Sequence, residues 1–422
     1  MKNSAAPVSA FPFYYGWAIL AASAVSELLV QGATSYAAGL FVLPLQAEFH
    51  LSRANASSPV LILFLGAALV SPFVGRALDR YPIRLVVSLG AVIFSLALMV
   101  IATTNSLWLM ALMLLLPAAV GFMSLGPLTT AALASRWFYR RRGLALGIAA
   151  VATSGGGFVV VPLLSRAIQQ DGWRLALIYE AAAMAVIIIG LALLVLRDRP
   201  SDVGLAGHPE NLGWDGGVTP SKPSGVASSR LSWQDILSSR AFWVPSMVLA
   251  MVSGTAQALV VTLVPYAIGL HFSAPSAAAM ISAFAISAAI TKVSAGVLAD
   301  YINQRFLLIA AALLMTLSWL TLGLFASYEA LFTSSCMGGV ALGCALPTVA
   351  GLIAAHFGPA KFGAVMGWTY AFVAAFAIAA TRIIGELYDI FGGYHAAFLI
   401  FFALLGCLFL ATLLFAPSRK AA

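Results

Sequence analysis

The chain has 422 residues, of which 62% are apolar and only 9% carry charge. An ordinary soluble domain is about 25% charged, so a soluble fold of this length is excluded and most of the surface must face lipid. The net charge of +8 invites a nucleic-acid reading, but the placement of the basic residues makes it unnecessary.

A membrane span takes roughly 20 apolar residues in a helix. In lipid the backbone must close its own hydrogen bonds, which leaves helices or a barrel. The apolar runs are continuous rather than alternating, so helices are expected. In chain order they cover about 14–46, 55–77, 83–104, 107–136, 141–168 and 173–196, then 241–270, 275–299, 304–325, 330–356, 362–388 and 394–416. The first run is too long for a signal-peptide core and lacks a cleavage pattern, so it counts as a membrane helix. Residues 197–238, rich in Gly, Pro and Ser, read as a solvent-exposed linker. Its end, Leu231 to Trp243, has the pattern of an amphipathic helix on the membrane surface. The expected organisation is a six-helix bundle over 1–196, the linker, and a second six-helix bundle over 239–422. Cys336, Cys344 and Cys407 all lie in apolar runs with neither disulfide nor metal spacing, and no cofactor is expected.

Orientation follows from Lys and Arg. With the N-terminus inside, seventeen of the twenty-two fall in cytoplasmic loops and tails, among them Arg76, Arg80 and Arg84, Arg136 and Arg140 to Arg142, Arg305 and Lys361. Arg53, Arg166 and Arg174 fall outside. A multi-pass protein of the plasma or inner membrane, with both termini cytoplasmic, is expected. The basic excess is a topology signal, and no nucleic-acid partner is needed.

An internal repeat runs through the chain. Gly75-x-x-x-Asp79-Arg80, followed by Arg84, recurs as Gly296-x-x-x-Asp300-Tyr301, followed by Arg305, at an offset of 221 residues. Pro44 and Pro265, His50 and His271, and Gly172 and Gly393 share that offset, while Gly143 and Gly363, Gly147 and Gly367, and Pro127 and Pro347 are 220 apart. A duplicated six-helix unit, with the two copies parallel about an axis along the membrane normal, explains this pattern. The fold class expected is an all-α membrane protein of twelve transmembrane helices in two pseudo-symmetric bundles.

The Gly75-x-x-x-Asp79-Arg80-x-x-x-Arg84 element resembles the signature loop of the major facilitator superfamily. Pro82 stands where that family has Gly, and Ile83 where it has a further basic residue. Small Gly75 permits close helix approach, and Asp79 with Arg80 and Arg84, repeated in Asp300 and Arg305, can form a charge lock between helix ends. The alternative is a charged turn that only obeys the positive-inside rule. Three other stretches extend the likeness: Tyr15-Gly16-Trp17; Trp137-Phe138-x-Arg140-Arg141-Arg142-Gly143-x-x-x-Gly147; and Gly385-x-Leu387-Tyr388-Asp389-x-x-Gly392-x-Tyr394. Together with Arg199-Pro200-x-Asp202-x-Gly204-Leu205, they are similar to the monocarboxylate transporter and oxalate/formate antiporter branch.

Ionisable residues at membrane depth are costly and are functional candidates by default. Lys292, in Ile290-Thr291-Lys292-Val293-Ser294, falls where the resemblance implies a helix-eight arginine that binds a substrate carboxylate; the alternative is a lysine snorkelling to the cytoplasmic surface. Arg382 on helix eleven is its expected complement, or else an i,i+4 partner of Glu386. Glu27 is a candidate proton-coupling acid or counter-ion, with a structural ion pair as the alternative; Glu180 reads as structural. Tyr36 and Gln257, at the 221 offset, are candidate pore-lining residues on helices one and seven. Two features that the resemblance implies are missing: Ala288 stands where animal monocarboxylate transporters have a proton-coupling acid, and Leu40 falls about where they have a helix-one lysine.

These readings converge on a monomeric secondary transporter for a small organic anion, a mono- or dicarboxylate, driven by protons or a counter-transported anion. Export of an amphipathic or aromatic drug-like compound is the alternative. An enzyme lacks its residues, because no H-E-x-x-H, nucleophile elbow or P-loop is present. A non-transporting receptor would be distinguished by the absence of solute accumulation in proteoliposomes.

Overall fold

A computed structural model describes residues 14–51, 55, 58–205, 233–358 and 360–415, and among them no residue is in a strand. Twelve long helical stretches follow one another across the described residues. The first, α1, is composite: Gly16–Gln31, a π-helical turn Gly32–Tyr36, and Ala38–Phe49. Next come α2 (Ser58–Arg80), α3 (Ile83–Thr103), α4 (Leu107–Trp137), α5 (Arg142–Asp171) and α6 (Trp173–Leu194). The second half holds α7 (Arg240–Gly269), α8 (Ala274–Tyr301), α9 (Gln304–Leu324), α10 (Tyr328–Phe357), α11 (Phe362–Phe391) and α12 (His395–Phe415). Eleven of these stretches contain a helix long and apolar enough to cross a membrane, and α5, a continuous helix of 30 residues, takes the remaining place. The central part of the expected linker, 206–232, lies outside the described residues. The expected surface helix ends earlier than its sequence pattern: Trp233–Ser238 is helical, the helix stops at Ser239, and 240–243 belong to α7.

The repeat is visible in packing. Within the first half α1 packs on α5 and α3 on α6; within the second, α7 packs on α11 and α9 on α12. It reaches the backbone torsions too. His50 (φ 51°) and His271 (φ 66°), which end α1 and follow α7, are the only non-glycine residues with positive φ among those described. A left-handed residue at a helix end stops the helix and turns the chain.

The halves meet along two equivalent crossings, α2 with α11 and α5 with α8. Both crossings lie near the end that carries the arginine-rich loops, called here the basic end, and both are built on glycine. A Cβ on Gly75 would strike the Gly363 carbonyl oxygen, and one on Gly363 would strike that of Gly75. Gly143 and Gly296 stand in the same reciprocal relation at the other crossing. Small residues let helix backbones approach in the membrane, where packing rather than hydrophobic exclusion drives association. No comparable contact joins α1 to α7 among the described residues.

Candidate functional site

Each crossing carries one aspartate that reaches into the opposite half. Asp79, at the end of α2, accepts hydrogen bonds from the backbone N–H groups of Gly363 (2.9 Å) and Ala364 (2.7 Å). These are first-turn amides of α11, which have no partner within their own helix. Asp300, at the end of α8, accepts from Gly143 (2.6 Å) and Leu144 (3.0 Å) at the start of α5. A carboxylate at a helix N-terminus also gains from the helix dipole. Arg136 of α4 lies 3.4 Å from Asp79 and donates to the Leu78 carbonyl at 2.7 Å.

The arginines of the signature loop turn elsewhere. Arg84 donates to the Leu196 carbonyl and Arg305 to that of Leu413, each tying two helix ends within its own half. The Arg80 guanidinium lies over the Tyr81 ring. The aspartates therefore hold the halves together by backbone capping, and the basic residue beside Asp79 is Arg136 rather than Arg80 or Arg84.

Between the two crossings and the membrane centre lies a cluster of buried polar groups. Lys292 is only 7% exposed, and its Nζ donates to Thr153 Oγ1 of α5 at 2.6 Å. Thr153 is eleven residues into α5, about 16 Å from the basic end at ~1.5 Å per residue. Lys292 thus points toward the membrane centre instead of snorkelling outward. Glu27 of α1, 1% exposed, interacts electrostatically with Lys292 across the interface. The Thr130 hydroxyl of α4 stands beside the Glu27 carboxylate, and the buried Tyr370 hydroxyl of α11, which feels the Glu27 charge, makes no hydrogen bond among the described residues.

Helix α4 contributes a helix terminus to this cluster. It breaks at Gly126, and a fresh helix starts at Pro127. Pro127 and Glu27 line one small cavity together with Pro347 of α10, the repeat partner of Pro127. The cavity measures about 10 Å³, room for roughly one water. The positive end of the second α4 segment therefore lies beside the carboxylate. In this conformation the cluster is closed to anything larger than water.

The other expected residues are not part of it. Arg382 donates to Glu386 at 2.7 Å, an i,i+4 pair whose side chains are 78% and 55% exposed. Tyr36 and Gln257 are both exposed, Tyr36 within the π-helical turn of α1. Sequence reading did not single out Thr153, Tyr370 or the capped amides of α5 and α11. A threonine or tyrosine in an apolar helix carries no local mark of what it faces. The α4 break was legible in Gly126-Pro127, a helix-breaking dipeptide within an apolar run.

The geometry is matched by comparisons with known proteins. The family model for the Major Facilitator Superfamily matches residues 23–280 and 247–422. The chain is 29% identical to mouse monocarboxylate transporter 11 over 366 residues, 84% of this chain and 74% of that one. It is 28% identical to the uncharacterized MFS-type transporter YcxA of Bacillus subtilis over 160 residues, a match that takes in 38% of this chain and 39% of YcxA. Over 137 residues, 32% of this chain and 28% of the relative, it is 31% identical to the Fujikurins efflux protein of Gibberella fujikuroi. Among solved structures, a double-Trp mutant of XylE superposes with a TM-score of 0.74 at 15% identity, covering 97% of both chains. The human organic anion transporter MFSD10 superposes at 0.71 with 17% identity, covering 94% of this chain and 99% of that one. At these identities the structural likeness speaks for the fold alone. With its repeated six-helix halves, its paired glycine crossings and a family model matched along nearly the whole chain, the protein belongs to the major facilitator superfamily of membrane transporters.

Proposed function

We propose that the protein is a secondary active transporter that carries a small organic anion, a mono- or dicarboxylate, by alternating access, with both termini and the linker in the cytoplasm. The observation that carries this reading is Lys292. Its ammonium is buried near the membrane centre, and two groups that it interacts with there, Thr153 and Glu27, belong to the opposite half. Opening the basic end separates α8 from α5 and takes those partners away. A buried cation is costly unless its charge is offset, and a substrate carboxylate supplies an offset in the open state. Glu27, left without Lys292, then becomes the group that takes up the coupling proton.

The aspartate caps govern the other step. They hold the basic end shut, and their release admits exchange with the cytoplasm. The monocarboxylate transporters among the relatives support an organic anion, and the efflux protein supports the second reading, export of an amphipathic compound. Flux of labelled small carboxylates into proteoliposomes, wild type against Lys292→Gln, tests the proposal. Equal flux in the two would remove Lys292 from substrate binding.

A further inference from the structure

The first helix is fastened differently on the two sides of its π-helical turn. Toward the basic end, Gly32 packs on α5: a Cβ on Gly156 would strike the Gly32 backbone nitrogen, and one on Gly32 would strike Val160. Beyond Gly32 the Ala37 N–H reaches back five residues to the Gly32 carbonyl at 2.9 Å, and Pro44 leaves a further gap in the backbone bonding. Such turns and prolines are where helices bend. The segment Ala38–Phe49 rests at its start on Leu164 of α5 and Ala176 of α6, through Leu40 and Phe41. Leu45 is its one buried residue, and no other helix packs closely along it among the described residues.

The tip of that segment is tied by one carboxylate. Glu48 Oε2 accepts from the Trp173 indole N–H at 2.6 Å, and Oε1 accepts from Arg174 Nε and Nη2 at 3.1 and 2.6 Å. The Arg174 guanidinium lies over the Trp173 ring at 4.6 Å and also donates to the Ala102 and Thr104 carbonyls and to Asn105 Oδ1, at the end of α3. Arg174 is thus fixed to α3 and α6 without Glu48, and Glu48 is the movable side of the clasp. The second half has no counterpart. At the offset of 221 residues Gly269 stands for Glu48, Tyr394 for Trp173 and His395 for Arg174. There α7 runs unbroken from Arg240 to Gly269, and Tyr266 near its end packs on the Tyr394 and Phe398 rings.

We propose that the Glu48 clasp is a latch: it holds Ala38–Phe49 back on the first half, and its release lets the segment swing about the π-helical turn and Pro44 onto α7, shutting the end opposite the basic loops. The halves are joined at the basic end in this conformation, while no comparable contact joins α1 to α7 among the described residues. A transporter that opens its basic end must shut the other, so this segment has to leave its own half. Tyr36, Gly39, Leu43 and Ala47, three or four residues apart, form the exposed face that it carries across. Gln257 and Ile268 of α7, the repeat mates of Tyr36 and Ala47, are exposed as well. The Glu48 and Arg174 side chains are 37% and 26% exposed, so on release their charges pass into water. An ion pair at such exposure is weak enough to be broken in every cycle. Closure is therefore asymmetric: α1 moves, and the continuous α7 receives it. The inference rests on alternating access and not on the identity of the cargo.

Spin labels at Leu43 and Val261, both exposed, read the separation of the two segments in the full-length protein with its native cysteines replaced. The wild type is expected to show mainly the wide separation, and Glu48→Ala to raise the population of a shorter one at least threefold. Trp173→Phe removes one bond of the clasp and keeps a ring under Arg174. It is expected to give a smaller shift in the same direction, and it serves if Glu48→Ala does not fold. His395→Ala, at the repeat mate of Arg174, is expected to leave the distribution unchanged. A tie with a structural role alone lowers the melting temperature of Glu48→Ala while its distances stay those of the wild type, and that outcome overturns the proposal. So does an equal shift in His395→Ala, which would place control of closure in both halves. No substrate enters these measurements, so failure of the organic-anion reading leaves their outcome untouched.

Discussion

Asp79 and Asp300, 221 residues apart in the chain, make the same bond in mirror roles: each carboxylate of one half caps the first turn of a helix in the other. The two caps sit on the two glycine crossings, so the halves are joined there by a symmetric set of four backbone amides.

Replacing either aspartate by asparagine removes the charge that faces a helix N-terminus. A carboxylate facing a helix N-terminus gains about 0.3–1 kcal/mol from its charge, so Asp79→Asn or Asp300→Asn is expected to shift the balance toward opening at the basic end by roughly 2- to 5-fold. Substrate affinity should change little, while turnover changes markedly. Distance distributions between spin labels on α2 and α11 report the shift, and an unchanged distribution in both variants would show that the caps do not hold the halves.

The crossings themselves admit no side chain. Gly75→Val and Gly143→Val place a branched group against the facing carbonyl oxygen of Gly363 or Gly296. Either variant is expected to insert and fold, because each half keeps its own core, yet to lose at least nine-tenths of transport through inability to close. Cysteine pairs across the crossing should form disulfides in wild type and not in the valine variants. Cross-linking at the wild-type rate contradicts this.

Lys292 and Glu27 separate charge from geometry. Lys292→Arg keeps the cation but changes its shape and should retain part of the flux; Lys292→Gln should retain almost none. Glu27→Gln should leave anion exchange in place while removing its dependence on a pH gradient, since the variant side chain cannot take up a proton. Arg382→Gln, which breaks only an exposed pair worth about 0–1 kcal/mol, should act mildly unless the cargo carries two carboxylates. Flux with and without a pH gradient, with expression checked for each variant, resolves all four.

Orientation has its own test. Single cysteines in 197–205 and near either terminus should react with membrane-impermeant thiol reagents only after the cytoplasmic face is exposed, whereas one near Asn105 or Tyr328 should react in intact cells. Labelling of the linker from outside would reverse the arrangement derived from the basic loops.

What the sequence by itself determined was the number of helices, their order and their duplication. These depend on local quantities: the length of an apolar run, the backbone's need to bond within it, and the recurrence of Gly, Pro and Asp at one spacing. The Gly75-to-Arg84 motif was equally legible as a place where something must approach closely and carry charge. Its partners were not. Asp79 meets Gly363, 284 residues further on, and its neighbouring cation is Arg136, because α2 crosses α11 and passes the end of α4 at that level. Lys292 could be read as a snorkelling residue until α5 placed Thr153 at 2.6 Å from its ammonium. Periodicity says which residues share a helix face; which faces meet is decided by the crossing of helices far apart in the chain, and that is a property of the tertiary structure alone.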